Sequence, residues 1–174
     1  MADAGKPLIV RLARLRVPLG FACAIVALVF ATPTPRSFAI GLVVALIGEG
    51  IRVWASGHIE KGREITRSGP YRIVRHPLYL GSAILGAGFA VASHSVAVSI
   101  LAVAYLGVTL VAAMRTEEAV LDAKFAGEYT AYREGRAAAI DRPFSWDRAL
   151  ANREYRAVAG LAAAFLLLAW RAFS

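Results

Sequence analysis

The chain has 174 residues, 58% of them hydrophobic, and a mean hydropathy of +0.56; a soluble domain of this size lacks the polar surface to cover so much apolar material. A formal net charge of +8 would suit nucleic acid, but the cations gather at particular connections, where anionic lipid headgroups account for them and nucleic acid need not be invoked. With a single cysteine, Cys23, an internal disulfide and a thiolate metal cluster are excluded, and no metal is expected.

Five stretches approach the length of a membrane span: residues 18–31, 38–55, 78–92, 96–114 and 157–170. A crossing takes about 20 apolar residues, so the first, third and fifth are short and need aromatic or basic flanks, tilt or bilayer thinning. Residues 1–17 are basic, but no small-residue cleavage site follows the apolar run, so the segment reads as the first span and not as a signal peptide. Connections 32–37 and 93–95 are tight hairpins, whereas 56–77 and 115–156 are long and polar. Every Lys and Arg except Arg36 and Arg171 lies ahead of the first span or around the two long connections. This positive-inside asymmetry puts the N-terminus and both long connections in the cytoplasm and the C-terminus outside. The expectation is an all-α, polytopic integral membrane protein of about five transmembrane helices, one domain over 1–174. A compact chain of this kind points to a bacterial inner membrane.

Within the first long connection, Ser68-Gly69-Pro70-Tyr71-Arg72-Ile73-Val74-Arg75-His76-Pro77-Leu78-Tyr79-Leu80-Gly81 holds cations and aromatic donors between two fixed-φ prolines. Such a loop is either a turn whose arginines reach headgroups or a preorganised site for an anionic or zwitterionic ligand. Glu49 and Arg52, three apart in the second span, have the spacing of a helix-surface ion pair. Gly86-Ala87-Gly88 in the third span lets helices approach closely, or leaves room for a flat cofactor. Glu117-Glu118 closes the fourth span; neighbours on a helix are about 100° apart, so one can face the bundle while the other faces water. Leu121 and Phe125 then share a face, Gly127 is expected to end or bend the helix, and 128–139 reads as a further helix bearing Tyr129 and Tyr132. Phe144 and Trp146 read as interfacial anchors. His94, in an outer hairpin, is assigned no role.

Taken together, Gly69-Pro70-Tyr71, Arg75-His76-Pro77-Leu78-Tyr79, Gly81 and, about 40 residues on, Glu117-Glu118, Leu121, Phe125, Tyr129 and Tyr132 resemble the isoprenylcysteine carboxyl methyltransferase and phospholipid N-methyltransferase family over residues 48–136. The resemblance implies an integral membrane enzyme that takes a methyl group from S-adenosylmethionine (AdoMet) in a pocket at the cytosolic face. It makes Arg75, His76, Pro77 and Tyr79 cofactor-loop residues. It matches Gly86, Gly88, Glu117 and Glu118 to the AdoMet motifs of the phospholipid enzymes. Relatives often carry a substrate-holding arginine about five residues before the second glutamate; here that position is Ala113, and the nearest arginine, Arg115, lies on a different helix face.

The residue chemistry agrees with that implication. AdoMet presents a carboxylate, an ammonium and a sulfonium, which call for cations, a carboxylate and aromatic faces. Arg75 and His76, Glu118, and Tyr79 and Tyr129 supply these, leaving Glu117 and Arg115 as the candidate catalytic pair. The expected partners are membrane lipids and a lipophilic or small amphiphilic acceptor whose carboxylate, amine or thiol is methylated. Two alternatives use the same features differently: a membrane reductase of the sterol-reductase kind with a nicotinamide cofactor, and a non-enzymatic scaffold whose basic loops bind anionic lipid.

Overall fold

A computed structural model describes residues 8–174, with side chains from Leu19 onward. The cations expected ahead of the first span, Lys6, Arg11, Arg14 and Arg16, lie outside the described side chains. All regular structure among the described residues is helical: α1 (Leu8–Phe30), α2 (Pro35–Ser56), a 3-10 turn (Gly69–Arg72), α3 (Pro77–Ser93), α4 (Val96–Arg133), α5 (Trp146–Ala151) and α6 (Tyr155–Phe173). Three helices, α2, α4 and α6, are long and apolar enough to cross a membrane; α3 and the Leu19–Phe30 part of α1 are shorter apolar helices. The chain is thus an all-helical polytopic membrane protein.

Local chemistry sets the helix starts. Thr34 caps α2, its hydroxyl accepting from the Ser37 N–H at 3.1 Å while the Ser37 hydroxyl answers the Thr34 N–H at 3.0 Å, with Pro35 following in the first turn. Ser95 and Ser145 cap α4 and α5 one way only, their hydroxyls accepting from the Val98 and Arg148 N–H groups. Pro77 opens α3, so the residue before it, His76, is held outside the helical conformation. The two tight hairpins meet at one end of the bundle, where the Thr32 N–H donates to the Ser93 carbonyl at 2.8 Å and its hydroxyl to the His94 carbonyl at 3.0 Å. Both long connections therefore share the opposite end.

Helices α2 and α3 pack backbone against backbone through a stripe of small residues. A Cβ on Gly88 would lie 2.4 Å from the Ala45 nitrogen and 2.7 Å from the Gly41 carbonyl, and one on Gly48 would lie 2.5 Å from the Leu85 nitrogen. The interior this creates is small-grained, with Ala31, Ala45 and Ala92 buried beside Phe165 and Leu168 of α6. Large apolar side chains point outward instead, among them Phe21, Val29, Val103, Leu166 and Trp170, as a lipid solvent requires. Gly88→Ala is expected to force the two helices apart and cost about 1–3 kcal/mol, read by thermal denaturation in detergent. At Gly86 an added methyl meets only the movable end of Leu106, so Gly86→Ala should leave the transition nearly unchanged.

Helix α4 continues past the span, as expected, but its break falls at Phe125 and Ala126, whose backbone angles leave the helical region one residue before Gly127. The helix beyond ends at Arg133, sooner than position 139, because Gly135 turns the chain at φ +71°. Helix α6 is longer than the expected 157–170, taking Tyr155 and Arg156 into its first turn and Arg171 into its last.

Candidate active site

The cytosol-facing expectation rests on one end of the bundle, where α4 runs beyond its neighbours and the 57–76 loop folds back against it. The loop is built around His58, a residue the sequence reading passed over. His58 is buried, its Nδ1 lies 3.2 Å from the Ser68 hydroxyl, and its ring fills the space a side chain at Gly69 would need. Gly69 has φ +54°, so glycine is required there on both conformational and steric grounds. Burial, with the charges of Arg148, Arg142 and Arg72, holds the imidazole pKa below its ordinary value.

That shift has a definite sign. The unfolded chain takes up a proton at His58 near pH 6.5 that the folded loop resists, so stability falls as the pH drops through that value. Thermal unfolding followed from pH 7.5 to 5.5 is expected to show this slope, and His58→Gln is expected to flatten it.

A second segment straps the loop from outside. The Ile140 N–H donates to the Arg67 carbonyl at 3.2 Å and the Ser145 N–H to the Gly57 carbonyl at 3.1 Å. Arg142 reaches the Glu64 carboxylate at 2.7 Å, and the Asn152 amide donates to the Ser56 and Ile59 carbonyls at 3.0 Å each. The Phe144 ring occupies the side-chain space of Gly57 and stands edge-on to His58. Phe144 therefore braces the loop and is not a free interfacial anchor, a role left to the exposed Trp146.

Between loop and α4 lies a cavity of about 500 Å³, within the range of small-molecule sites. One wall is the α4 face carrying Ala113, Thr116, Glu117, Val120, Leu121 and Lys124, at helical i, i+3, i+4 spacing. Arg75, His76 and Tyr71 form the facing wall, the 59–66 turn a third side, and Phe125, Tyr129 and Tyr132 the end beyond the kink. The kink thus turns the tyrosine-bearing part of α4 toward the loop.

His76 Nε2 lies 2.9 Å from Glu118 Oε1, and Arg75 approaches the same oxygen at 3.7 Å. This one carboxylate ties the proline loop to α4. The Tyr132 hydroxyl makes a second tie, donating to the Tyr71 carbonyl at 2.8 Å. Two further phenols line the cavity, Tyr71 and Tyr129, 8% and 1% exposed; the Tyr71 hydroxyl has no hydrogen-bond partner among the described residues, whereas that of Tyr129 lies close to the Glu118 carboxylate. An unsatisfied buried hydroxyl costs about 1–3 kcal/mol, so the Tyr71 phenol is a donor available to whatever occupies the cavity. Burial pushes the Tyr71 phenol far above its ordinary pKa, which keeps it a hydrogen-bond donor.

Of the residues expected at the site, Arg75, His76, Glu117 and Tyr129 stand on the cavity wall, and Glu118 stands beside them, holding the two cationic groups. Pro77 is buried directly behind His76, and the Tyr79 ring packs 5.7 Å from the His76 ring. Gly86, Gly88 and Arg115 are not brought to the cavity. The two glycines face Leu106 and the α2 backbone, so their missing side chains admit neighbouring helices and not a flat cofactor. Arg115 is exposed, one residue off the lining face, which separates it from the catalytic position expected of it. Tyr71 and the charged turn residues Glu60, Lys61 and Glu64 were missed as lining residues. Tyr71 was present in the motif, whereas the turn carries no signal of its own.

No characterised protein and no solved structure matches the chain. A sequence model of the family described as phospholipid methyltransferase matches residues 38–128, more than half its length. The matched stretch runs from α2 through the proline loop and α3 to the kink of α4, and so contains the Arg75–His76–Glu118 junction; Tyr129 and Tyr132 lie just past it. A membrane-embedded helical bundle with this junction at its polar end belongs, on that match, to the phospholipid methyltransferase family.

Proposed function

We propose that the protein methylates a lipophilic or small amphiphilic acceptor using AdoMet bound in the cavity between the proline loop and α4, at the cytosolic face of a bacterial inner membrane. The observation that carries the reading is the unpartnered buried Tyr71 phenol facing the same cavity as the Arg75–His76–Glu118 junction. A cofactor with a carboxylate, an ammonium and a ribose fits such a donor set. Arg75 and His76 can hold the carboxylate, Glu117, which forms no ion pair among the described residues, can take the ammonium, and Tyr71 and Tyr129 can donate to hydroxyl or ring acceptors. When bound, AdoMet supplies an activated methyl group for in-line displacement.

The chain's own residues then position and desolvate. Val120, on the cavity wall, is 58% exposed, giving the mouth an apolar rim by which an amphiphile can enter from the bilayer side. For an amine or thiol acceptor, Glu117 is also the wall residue placed to receive the proton; a carboxylate acceptor needs no base. Positioning and water exclusion carry most of the rate in either case. The cations around the long connections support the cytosolic placement.

Isothermal titration of the detergent-solubilised protein tests the reading. AdoMet is expected to bind in the micromolar range and NADPH not at all, with AdoMet binding lost in His76→Ala. NADPH binding in place of AdoMet would install a reductase instead, and a folded protein that binds neither would leave a lipid-binding scaffold. Incubation of lipid extracts with methyl-labelled AdoMet then identifies the acceptor.

A further inference from the structure

Behind the 59–61 turn, on the side away from the cavity just described, lies a second concavity of about 430 Å³, walled by the turn and by the corner between α5 and α6. Four cations face it: Lys61, Arg63, Arg148 and Arg153. Its one carboxylate, Glu60, is already approached by Arg142 at 3.7 Å. Arg148 is held rigidly, its Nε donating to the Gly57 carbonyl at 2.8 Å and a second nitrogen to the Pro143 carbonyl. Arg153 has φ +60°, a left-handed backbone in a non-glycine residue. Such a conformation is uncommon and costs about 1–3 kcal/mol. Here it lies at the corner that contributes Arg153 to the concavity.

We propose that this concavity binds a phosphate group, and that the group is the headgroup phosphate of an anionic phospholipid. Guanidinium groups match phosphate oxygens in geometry as well as charge, and of the three arginines that line the concavity Arg148 is already fixed in place. The site's level favours lipid as the source. Trp146, Leu150 and Tyr155, on the same α5–α6 corner, are all more than half exposed, and α6 enters the membrane from there. Apolar and aromatic side chains at that position mark the headgroup boundary. The site does not depend on the methyl-transfer reading, although its wall, Ile59 to Lys61, also lines the first cavity.

Native mass spectrometry of the protein released from vesicles containing phosphatidylglycerol and phosphatidylcholine reads the site directly. Phosphatidylglycerol is expected to be retained preferentially, and Arg63→Gln/Arg153→Gly to weaken its retention about thirtyfold, as the removal of two headgroup-level cations implies. Glycine suits the backbone at 153, so this double variant removes charge without straining the fold. Arg133→Gln, an exposed cation elsewhere on the same end, is the control expected to change nothing. Displacement of the bound lipid by inorganic phosphate would support the same anion site while naming free phosphate as a second source. Equal retention of the two lipids, or retention unchanged in the double variant, would overturn the proposal.

Discussion

Glu118→Ala is expected to lower AdoMet affinity about a hundredfold while leaving the helical bundle folded. The carboxylate joins the Arg75–His76 segment to α4, accepting from His76 at 2.9 Å and drawing Arg75 to 3.7 Å, while Arg67–Glu128 at 3.2 Å ties the connection to α4 further along. Without it both donors lose their shared acceptor, and the cavity wall they form is free to move away from α4. Deleting one member of a partly buried, charge-assisted network costs about 2–5 kcal/mol, and a hundredfold lies at the lower end of that range. Glu118→Gln retains an acceptor oxygen without the charge and should fall between the two. Its side chain is about one-third exposed, so the deletion opens no core cavity, and circular dichroism of the variant should match the parent. An unchanged affinity in a folded Glu118→Ala protein would remove the junction from the binding site. The Tyr132–Tyr71 tie would then be the contact that shapes it.

The parts of this site that were legible in the sequence are those in which chemistry is concentrated locally. Arg75, His76 and Pro77 are consecutive, and Glu117 and Glu118 occupy one helix turn, so residue type and spacing alone brought attention to them. Leu121 and Phe125 were legible for the same reason, since a helical period is a local property. What escaped depends on long-range folding. Glu60, Lys61 and Glu64 line the cavity because long-range contacts hold their turn there, such as Arg142–Glu64, 78 residues apart, from the 140–152 strap and the Lys124 ammonium on the Gly62 carbonyl from α4. Phe144 had the composition of a lipid anchor, but its ring is taken up by the space over Gly57. Gly86 and Gly88 admitted two readings because a missing side chain is silent about what fills the space. Only the helix pairing shows that it is Leu106 and the α2 backbone. Span lengths suffered similarly at α6, where Tyr155, Arg156 and Arg171 made a continuous helix look shorter than it is.

The Glu49–Arg52 pair carries the largest stability effect expected of any single residue. The spacing of three showed a possible ion pair, and the structure adds a third member from a distant helix boundary. Arg52 lies 3.6 Å from Glu49 and 2.7 Å from Glu154, and a further nitrogen donates to the Ser82 hydroxyl of α3. Both carboxylates are more than nine-tenths buried. One guanidinium thus balances two glutamates and fastens the start of α6 to α2 and α3. Arg52→Leu leaves both carboxylates in an apolar interior without a counter-charge. The expected loss is about 3–5 kcal/mol, enough to reduce the yield of folded protein in detergent sharply. The reason is charge balance and not the lost contacts themselves, which a compensating variant separates. In Glu49→Gln/Arg52→Met/Glu154→Gln no charge is buried, and an apolar or neutral replacement of an ion network is often close to neutral. Most of the stability should therefore return, as read by thermal denaturation. If the triple variant is as unstable as the single one, the arginine is needed for its grip on Ser82 and the α6 boundary. Charge neutralisation would then be the wrong account of why this chain keeps an arginine inside its second helix.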